Sequence, residues 1–275
     1  MYDIFEAIEY VLKPFEMGTS QWVLLKAENG TIYQVKFNQE FLAHNTHEFI
    51  GNFIGCAINA PVPRGAFLQI PDSLLTRCCE ELGYIIDMNL VVENIFFGIE
   101  WIYGQVKFED TESLLEELPN TMNYEQYPSI FPFDQYLRND DRHIDNHLIV
   151  KIGKKQHFYY SIDSDKIFGG YPLGNVLTEK DDFGCFANPA YQPLYDSIDD
   201  KLFKIILTYI SAIERLSAEQ LAKLDEYLAD FYGIDESIRG SIQVFLKYRK
   251  DNIYEQCMSN QHCYENLHQL SLMGV

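Results

Sequence analysis

Asn139-Asp140-Asp141-Arg142-His143-Ile144-Asp145-Asn146 leads into the apolar run Leu148-Ile149-Val150, and Tyr159-Tyr160-Ser161-Ile162-Asp163 follows. Asp141 and Asn146 stand five positions apart, and Asp163 closes the second apolar run seventeen positions after Asn146. An aspartate, an asparagine five residues on and a later aspartate form the set with which ATP-dependent phosphoryl transfer orients a hydroxyl and holds magnesium. Asp141 is therefore predicted to orient the attacking hydroxyl, and Asn146 and Asp163 to bind Mg2+. Ordinary kinases place His-Arg-Asp ahead of the asparagine; the order here is Asp-Arg-His, with the same Asp-to-Asn spacing. The spacing matters because one tight loop must turn both side chains toward one ion. The apolar runs on either side predict a short strand pair that brings Asn146 and Asp163 together.

Upstream, Trp22–Lys26 and Thr31–Phe37 flank Asn29-Gly30, a strong hairpin signal. Phe49, Ile50, Phe53 and Ile54 recur at helical spacing within 47–55, and Pro61-Val62-Pro63 ends that helix. Strands are expected over 66–70 and 90–98, with a short helix over 72–82. The acidic stretch 105–130 reads as loop and as a boundary. From Asp199 onward the pattern is helical, with Ser217-Ala218-Glu219-Gln220 opening one helix as a capping box and a further amphipathic run over 237–249. The expected fold class is α+β, a two-lobed protein-kinase-like fold. Its strand-rich N-lobe would span residues 1–105 and its mainly helical C-lobe residues 106–275.

Composition narrows the function. The chain has 275 residues, 47% hydrophobic and 15% aromatic, enough for a large packed core. Its 41 acidic and 21 basic residues give a formal charge of −20, which disfavours nucleic acid and anionic membranes as partners. No apolar run approaches the roughly 20 residues needed to cross a bilayer, and Met1-Tyr2-Asp3-Ile4-Phe5-Glu6 lacks the basic start of a signal peptide. Cys56, Cys78, Cys79, Cys185, Cys257 and Cys263 contain no Cys-x-x-Cys pair. Scattered thiols suit a reducing compartment, so a cytoplasmic location is expected.

Lys36 ends a strand among β-branched and aromatic neighbours, the place from which a lysine reaches ATP phosphates. Alone it would read as an edge-strand lysine in water, and Glu48 as a helix-surface acid; with the downstream loop they are predicted to pair. Gly18, Thr19 and Ser20 precede the first strand of the hairpin and are candidates to cover the ATP phosphates. No Gly-x-x-x-x-Gly-Lys-Ser/Thr occurs, which excludes the P-loop nucleotide fold. Arg142 is expected to brace the loop, and His143 to hydrogen-bond backbone beneath the metal site. Asp140 and Asp145 are expected to be solvated loop charges. His143 and His147, four apart, would make a metal pair only on a regular helix, which the turn-forming Asp and Asn residues oppose. Asp182-Phe183-Gly184 spells a kinase metal-binding tripeptide, but it lies 41 positions past Asp141. Asp163 closes the loop more economically, and 182–184 is taken as coincidence.

Taken together, Val35-Lys36-Phe37, Glu48, Ala60-Pro61-Val62-Pro63, the loop Asn139 to Asn146, Ile162-Asp163 and Phe168-Gly169-Gly170 resemble the HipA-like kinase family. The resemblance runs from about residue 18 to 170. The Asp-Arg-His-x-x-Asn loop is also shared with phosphatidylinositol kinases, so the surrounding motifs narrow the assignment. It implies an ATP- and Mg2+-dependent serine/threonine protein kinase, with Lys36 on the phosphates, Asp141 catalytic and Asn146 and Asp163 on the metal. The family's best-known members are toxins that phosphorylate aminoacyl-tRNA synthetases. Against those toxins this sequence is shorter and is expected to do without their extra N-terminal subdomain, and Gly18-Thr19-Ser20-Gln21 does not match their phosphate loop. Toxicity and autophosphorylation are accordingly not carried over. Expected partners are ATP, a protein substrate and an antitoxin-like regulator. A lipid or small-molecule acceptor, and a nucleotide-binding pseudokinase serving as a regulatory module, stand as the alternatives.

Overall fold

The computed structural model describes residues 2–11, 22–37, 43–83, 86, 92–106, 108–152, 156–170, 172–173 and 197–258. Five strands close into a barrel: β1 (Ile4–Val11), β2 (Trp22–Ala27), β3 (Ile32–Lys36), β4 (Gly65–Gln69) and β5 (Ile95–Glu100), in the order β1-β2-β3-β5-β4. The predicted hairpin is β2–β3, with Trp22 opposite Lys36 and Leu25 opposite Tyr33. Its turn is set by Gly30, at φ +82°, and by the Asn29 side chain, which accepts from the Thr31 amide at 2.9 Å. Alternation sorts the faces. Val23, Leu25, Val35, Phe37, Leu68 and Phe96 fill the barrel, so Lys36, between Val35 and Phe37, points out of it.

Helix α1 (His44–Ala57) crosses the outside of the barrel and begins three residues before the predicted span, buried along most of its length. Asn45 fixes it there. Its amide donates to the carbonyls of Lys36 and Phe97, both at 2.7 Å, and its oxygen accepts from the Phe97 amide at 2.9 Å. The helix ends before Asn59, at φ +59°, and the Pro61-Val62-Pro63 run. Helix α2 (Asp72–Leu82) matches its predicted bounds. Strand β5 starts later than expected, because Glu93 and Asn94 take φ values of +53° and +57° and make a turn in front of it.

The stretch 105–130 is not loop. It holds β6 (Gln105–Val106), α3 (Thr111–Glu117) and two 3-10 turns over 118–120 and 124–129. The Asp110 side chain accepts from the Ser113 amide at 2.8 Å, a capping box that starts α3. Only Leu114 of α3 is buried, which is why the acidic surface hid the helix from a periodicity reading. The apolar helix α4 (Ile130–Leu137) follows, then the predicted strand pair β7 (His147–Lys151) and β8 (His157–Ser161) with β6 at its edge.

Helices α5 (Asp200–Glu214), α6 (Ala218–Asp230) and α7 (Glu236–Met258) complete the described chain, α7 running well past the predicted 237–249. The capping box of α6 is reciprocal: Ser217 accepts from the Gln220 amide at 3.1 Å, and Gln220 accepts from the Ser217 amide at 2.8 Å. The largest apolar core does not break at the barrel edge. Phe49, Phe67 and Phe97 pack with Tyr227, Phe231 and Tyr232, joining α1 and the outer face of the barrel to the helices. Among the described residues no helix is long and apolar enough to cross a membrane.

Candidate active site

A cleft of about 290 Å³ opens between the outer face of β3 and β5, the loop before β7, and the segment after β8. Five of the predicted residues, Lys36, Glu48, Asp141, Asn146 and Asp163, line it together. Gly18, Thr19 and Ser20, and also Asp182-Phe183-Gly184, lie outside the described residues.

The loop is built on α4. Arg138 ends that helix at φ +52°, and Asp134, buried on its last turn, receives the Arg142 guanidinium through two bonds, of 2.9 and 2.7 Å. The Asn139 amide adds a third, at 3.1 Å. Arg142 also reaches the carbonyl oxygens of Asn146 and Ile162. It is thus the brace the sequence suggested, tying the start of β7 to the end of β8. The Asn146 side chain donates to the Asp141 carbonyl at 3.0 Å, and the Asn146 carbonyl accepts from the Ile162 amide at 3.0 Å. Immediately after Ile162, Asp163 takes φ +65°, which breaks the strand.

One histidine expectation needs correcting. His143 does not lie beneath the site: its ring is half exposed, faces the cleft and sits 3.6 Å from Asp145. Of this pair it is His147 that is buried, its Nδ1 2.9 Å from the Tyr159 hydroxyl. Burial, with the charges of Arg142 and His143, holds its pKa well below the usual range. His147 begins a strand rather than continuing a helix, so the two histidines share no helical face for a metal.

Lys36 is the centre of charge. Its Nζ lies 2.6 Å from Asp163, 2.8 Å from Glu48 and 3.1 Å from Asp165, with only 8% of the side chain exposed. Burial alone would lower its pKa; the carboxylates of Asp163, Glu48 and Asp165 outweigh that and hold it well above the usual value. Three carboxylates thus crowd one ammonium. Burial accordingly raises the pKa of Glu48, against the pull of Lys36. It raises Asp163 as well, with the neighbouring Asp165 charge adding to the effect.

Helix α1 and the segment 163–166 are bolted to each other. Glu48 accepts from the Ser164 amide at 3.0 Å. His47 Nδ1 lies 2.8 Å from the Asp165 carbonyl oxygen, and His44 Nδ1 lies 3.1 Å from its carboxylate. Gly51 allows the close approach, since a Cβ there would lie 2.3 Å from the Ser164 Cβ. Asp165, His44 and Lys166 escaped the sequence reading. The one available signal was the spacing Asp163-x-Asp165-Lys166 directly after the strand.

The donor set suits a hard divalent cation. Among the described residues no group of three His, Cys, Asp or Glu side chains is arranged to hold a metal unaided. Magnesium, however, is usually bound by one or two carboxylates together with substrate phosphates rather than by an all-protein cage. Asp163 and Asn146 offer such a partial set, and the carboxylates gathered around Lys36 are negative charge that a divalent ion would offset.

A family model described as HipA-like kinase matches residues 8–167 of this chain. Among solved structures, the crystal structure of a Helicobacter pylori proinflammatory kinase, CtkA, matches with a TM-score of 0.61 over 97% of this chain and 100% of its own. The two sequences are 14% identical, so the likeness speaks to fold alone. A comparison with curated proteins gives no match.

Proposed function

The chain belongs to the HipA-like kinase family, and from that premise we propose that it transfers the γ-phosphoryl group of ATP, with Mg2+, to a serine or threonine hydroxyl on a protein. The observation that carries this reading is the Lys36 ammonium held at once by Glu48 and Asp163, 2.8 and 2.6 Å away, in a cleft that Asp141 and Asn146 also line. Lys36 binds the ATP phosphates and Glu48 steadies its ammonium. Asp141 accepts the proton of the acceptor hydroxyl, and positioning supplies most of the acceleration. Asn146 and Asp163 would hold the magnesium, which when bound offsets the phosphate charge. Gly18, Thr19 and Ser20 are assigned to cover the phosphates. The barrel side, residues 1–105, would act as the N-lobe of a two-lobed kinase, and residues 106–275 as its C-lobe.

A protein acceptor is favoured over an anionic lipid. Glu100, Asp141 and Asp145 line the cleft together with the Lys36 carboxylates, and the chain carries a formal charge of −20. An antitoxin-like protein that restrains the activity belongs to the same reading.

A thermal shift with ATP, with and without Mg2+, on wild type and Asp163→Ala tests the site, since a ligand that binds only the folded state raises Tm by mass action. A magnesium-dependent rise in wild type that is lost in the variant supports it; no rise in either protein overturns it. Radiolabel transfer from ATP onto proteins, inositol lipids and metabolites then identifies the acceptor class. Label on lipid alone would remove the protein-kinase reading.

A further inference from the structure

Lys166 follows Asp163 by three positions and lines the same cleft. Its Nζ stands 3.3 Å from Asp141 Oδ2, and about a third of its side chain is exposed, at 36%. Its neighbour Asp165 is anchored to α1 by His44 and His47 and to Lys36 by an ion pair. That anchorage fixes the backbone from which Lys166 projects toward the Asp141 loop.

The charges of the cleft make Lys166 distinctive. Glu48, Glu100, Asp141, Asp145, Asp163 and Asp165 bring carboxylates to the lining, whereas Lys36 and Lys166 are its lysines. Lys36 is enclosed by three carboxylates and 8% exposed. Lys166 makes one ion pair there, and it stands beside Asp141, where the acceptor would arrive. An ammonium carries three N–H donors, so a bond to Asp141 leaves two for another ligand.

We infer that Lys166 is a further catalytic residue, binding the oxygens of the phosphoryl group as it passes from nucleotide to acceptor; this rests on the nucleotide-dependent transfer proposed above. In that step the acceptor oxygen bonds to the γ-phosphorus, and its proton passes to an Asp141 carboxylate oxygen. The bond from the γ-phosphorus to the β,γ-bridging oxygen breaks, and its electron pair leaves on the nucleoside diphosphate. Lys166 keeps its proton throughout. Its N–H donors meet the charge spread over the three equatorial oxygens, which is greatest at the midpoint of transfer. Lys36 has a different part, on the nucleotide phosphates, with its ammonium paired to Glu48, Asp163 and Asp165.

The test compares wild type with Lys166→Met, which keeps the aliphatic stem of a partly exposed side chain. Each protein is melted with Mg2+ and ADP, then with Mg2+, ADP and aluminium fluoride, a mimic of the phosphoryl group in flight. Hydrolysis of ATP with water as acceptor is measured alongside. Wild type is expected to gain Tm with ADP and more with the fluoride. Lys166→Met is expected to keep the ADP gain, lose the fluoride increment and hydrolyse ATP about 100-fold more slowly, as when one preorganised donor is removed. Lys166→Arg, which restores a cation, is expected to recover part of the increment. A fluoride increment and a hydrolysis rate in Lys166→Met equal to wild type overturn the assignment while leaving the kinase reading intact. No ADP gain in wild type removes the nucleotide reading and the assignment with it.

Discussion

Lys36 and Asp163 are 127 positions apart in the chain and 2.6 Å apart at their charged atoms. The contact joins the last residue of β3 to the turn after β8, and Glu48 and Asp165 close the cluster from the helix and segment beside it. One ammonium is thus set among three carboxylates.

Replacing Asp163 should therefore separate stability from activity. Asp163→Asn removes one of these carboxylate charges, and its effect on the nucleotide-free protein is expected to be neutral or stabilising by about 1 kcal/mol, the scale of a relieved like-charge contact. Phosphoryl transfer is expected to be lost. Thermal melts and a transfer assay on the same preparation check both halves; a melting point well below wild type would contradict the charge argument.

The same cluster sets a pH dependence. Burial raises Glu48 from its ordinary 4.5 to about 7, and the proton belongs to the coupled carboxylates as a group. The folded state thus holds a proton that the unfolded chain has released, and stability is full below pH 4.5 and falls as pH rises toward about 7. The loss across that window is expected to be on the order of 3 kcal/mol. Glu48→Gln should flatten the profile there. Denaturant melts at several pH values on both proteins measure it, and parallel profiles would refute the assignment.

Arg142 and Asp134 form a buried, two-bond ion pair under the loop. Removing either partner leaves an uncompensated charge, which costs about 3–5 kcal/mol. Arg142→Ala is expected to lower Tm strongly. Arg142→Lys should fail to restore it, since an ammonium cannot supply the paired donors or reach the Ile162 carbonyl at the same time.

Gly51 governs how closely α1 approaches the segment carrying Asp163. In Gly51→Ala the new methyl would meet the Ser164 Cβ at 2.3 Å and Oγ at 2.5 Å. Pushing the helix away should loosen Lys36–Glu48–Asp163 and weaken the ATP-induced rise in Tm. With Ser164→Gly in addition, the nearest remaining atom is the Ser164-position Cα at 3.8 Å, an ordinary contact. The double variant is expected to recover ATP binding. If it behaves no better than Gly51→Ala alone, packing at this point is not what sets the site.

Much of the site could be read in the chain because its signals are local. Asp141 and Asn146 sit in one loop, and the apolar runs beside them could pair only as the short hairpin β7–β8. The Asn29-Gly30 turn, the Pro61-Val62-Pro63 stop and the Ser217–Gln220 capping box depend on a few neighbouring residues, and each appears where expected. Local periodicity failed at α3, because a helix that buries little more than Leu114 carries almost no apolar stripe.

By itself, then, the sequence determined most of the elements, the loop that carries Asp141 and Asn146, and the family to which the chain belongs. Only the tertiary structure decided that the barrel closes, that His147 rather than His143 is buried, and that Asp165 joins the Lys36 cluster while Lys166 faces Asp141. The physical reason is the range of the forces involved. Turns, caps and alternation act over a few residues. Which carboxylate meets a buried ammonium depends on how closely α1 packs on a segment more than a hundred positions away, and that is set by Gly51, Asn45 and the aromatic core they sit in.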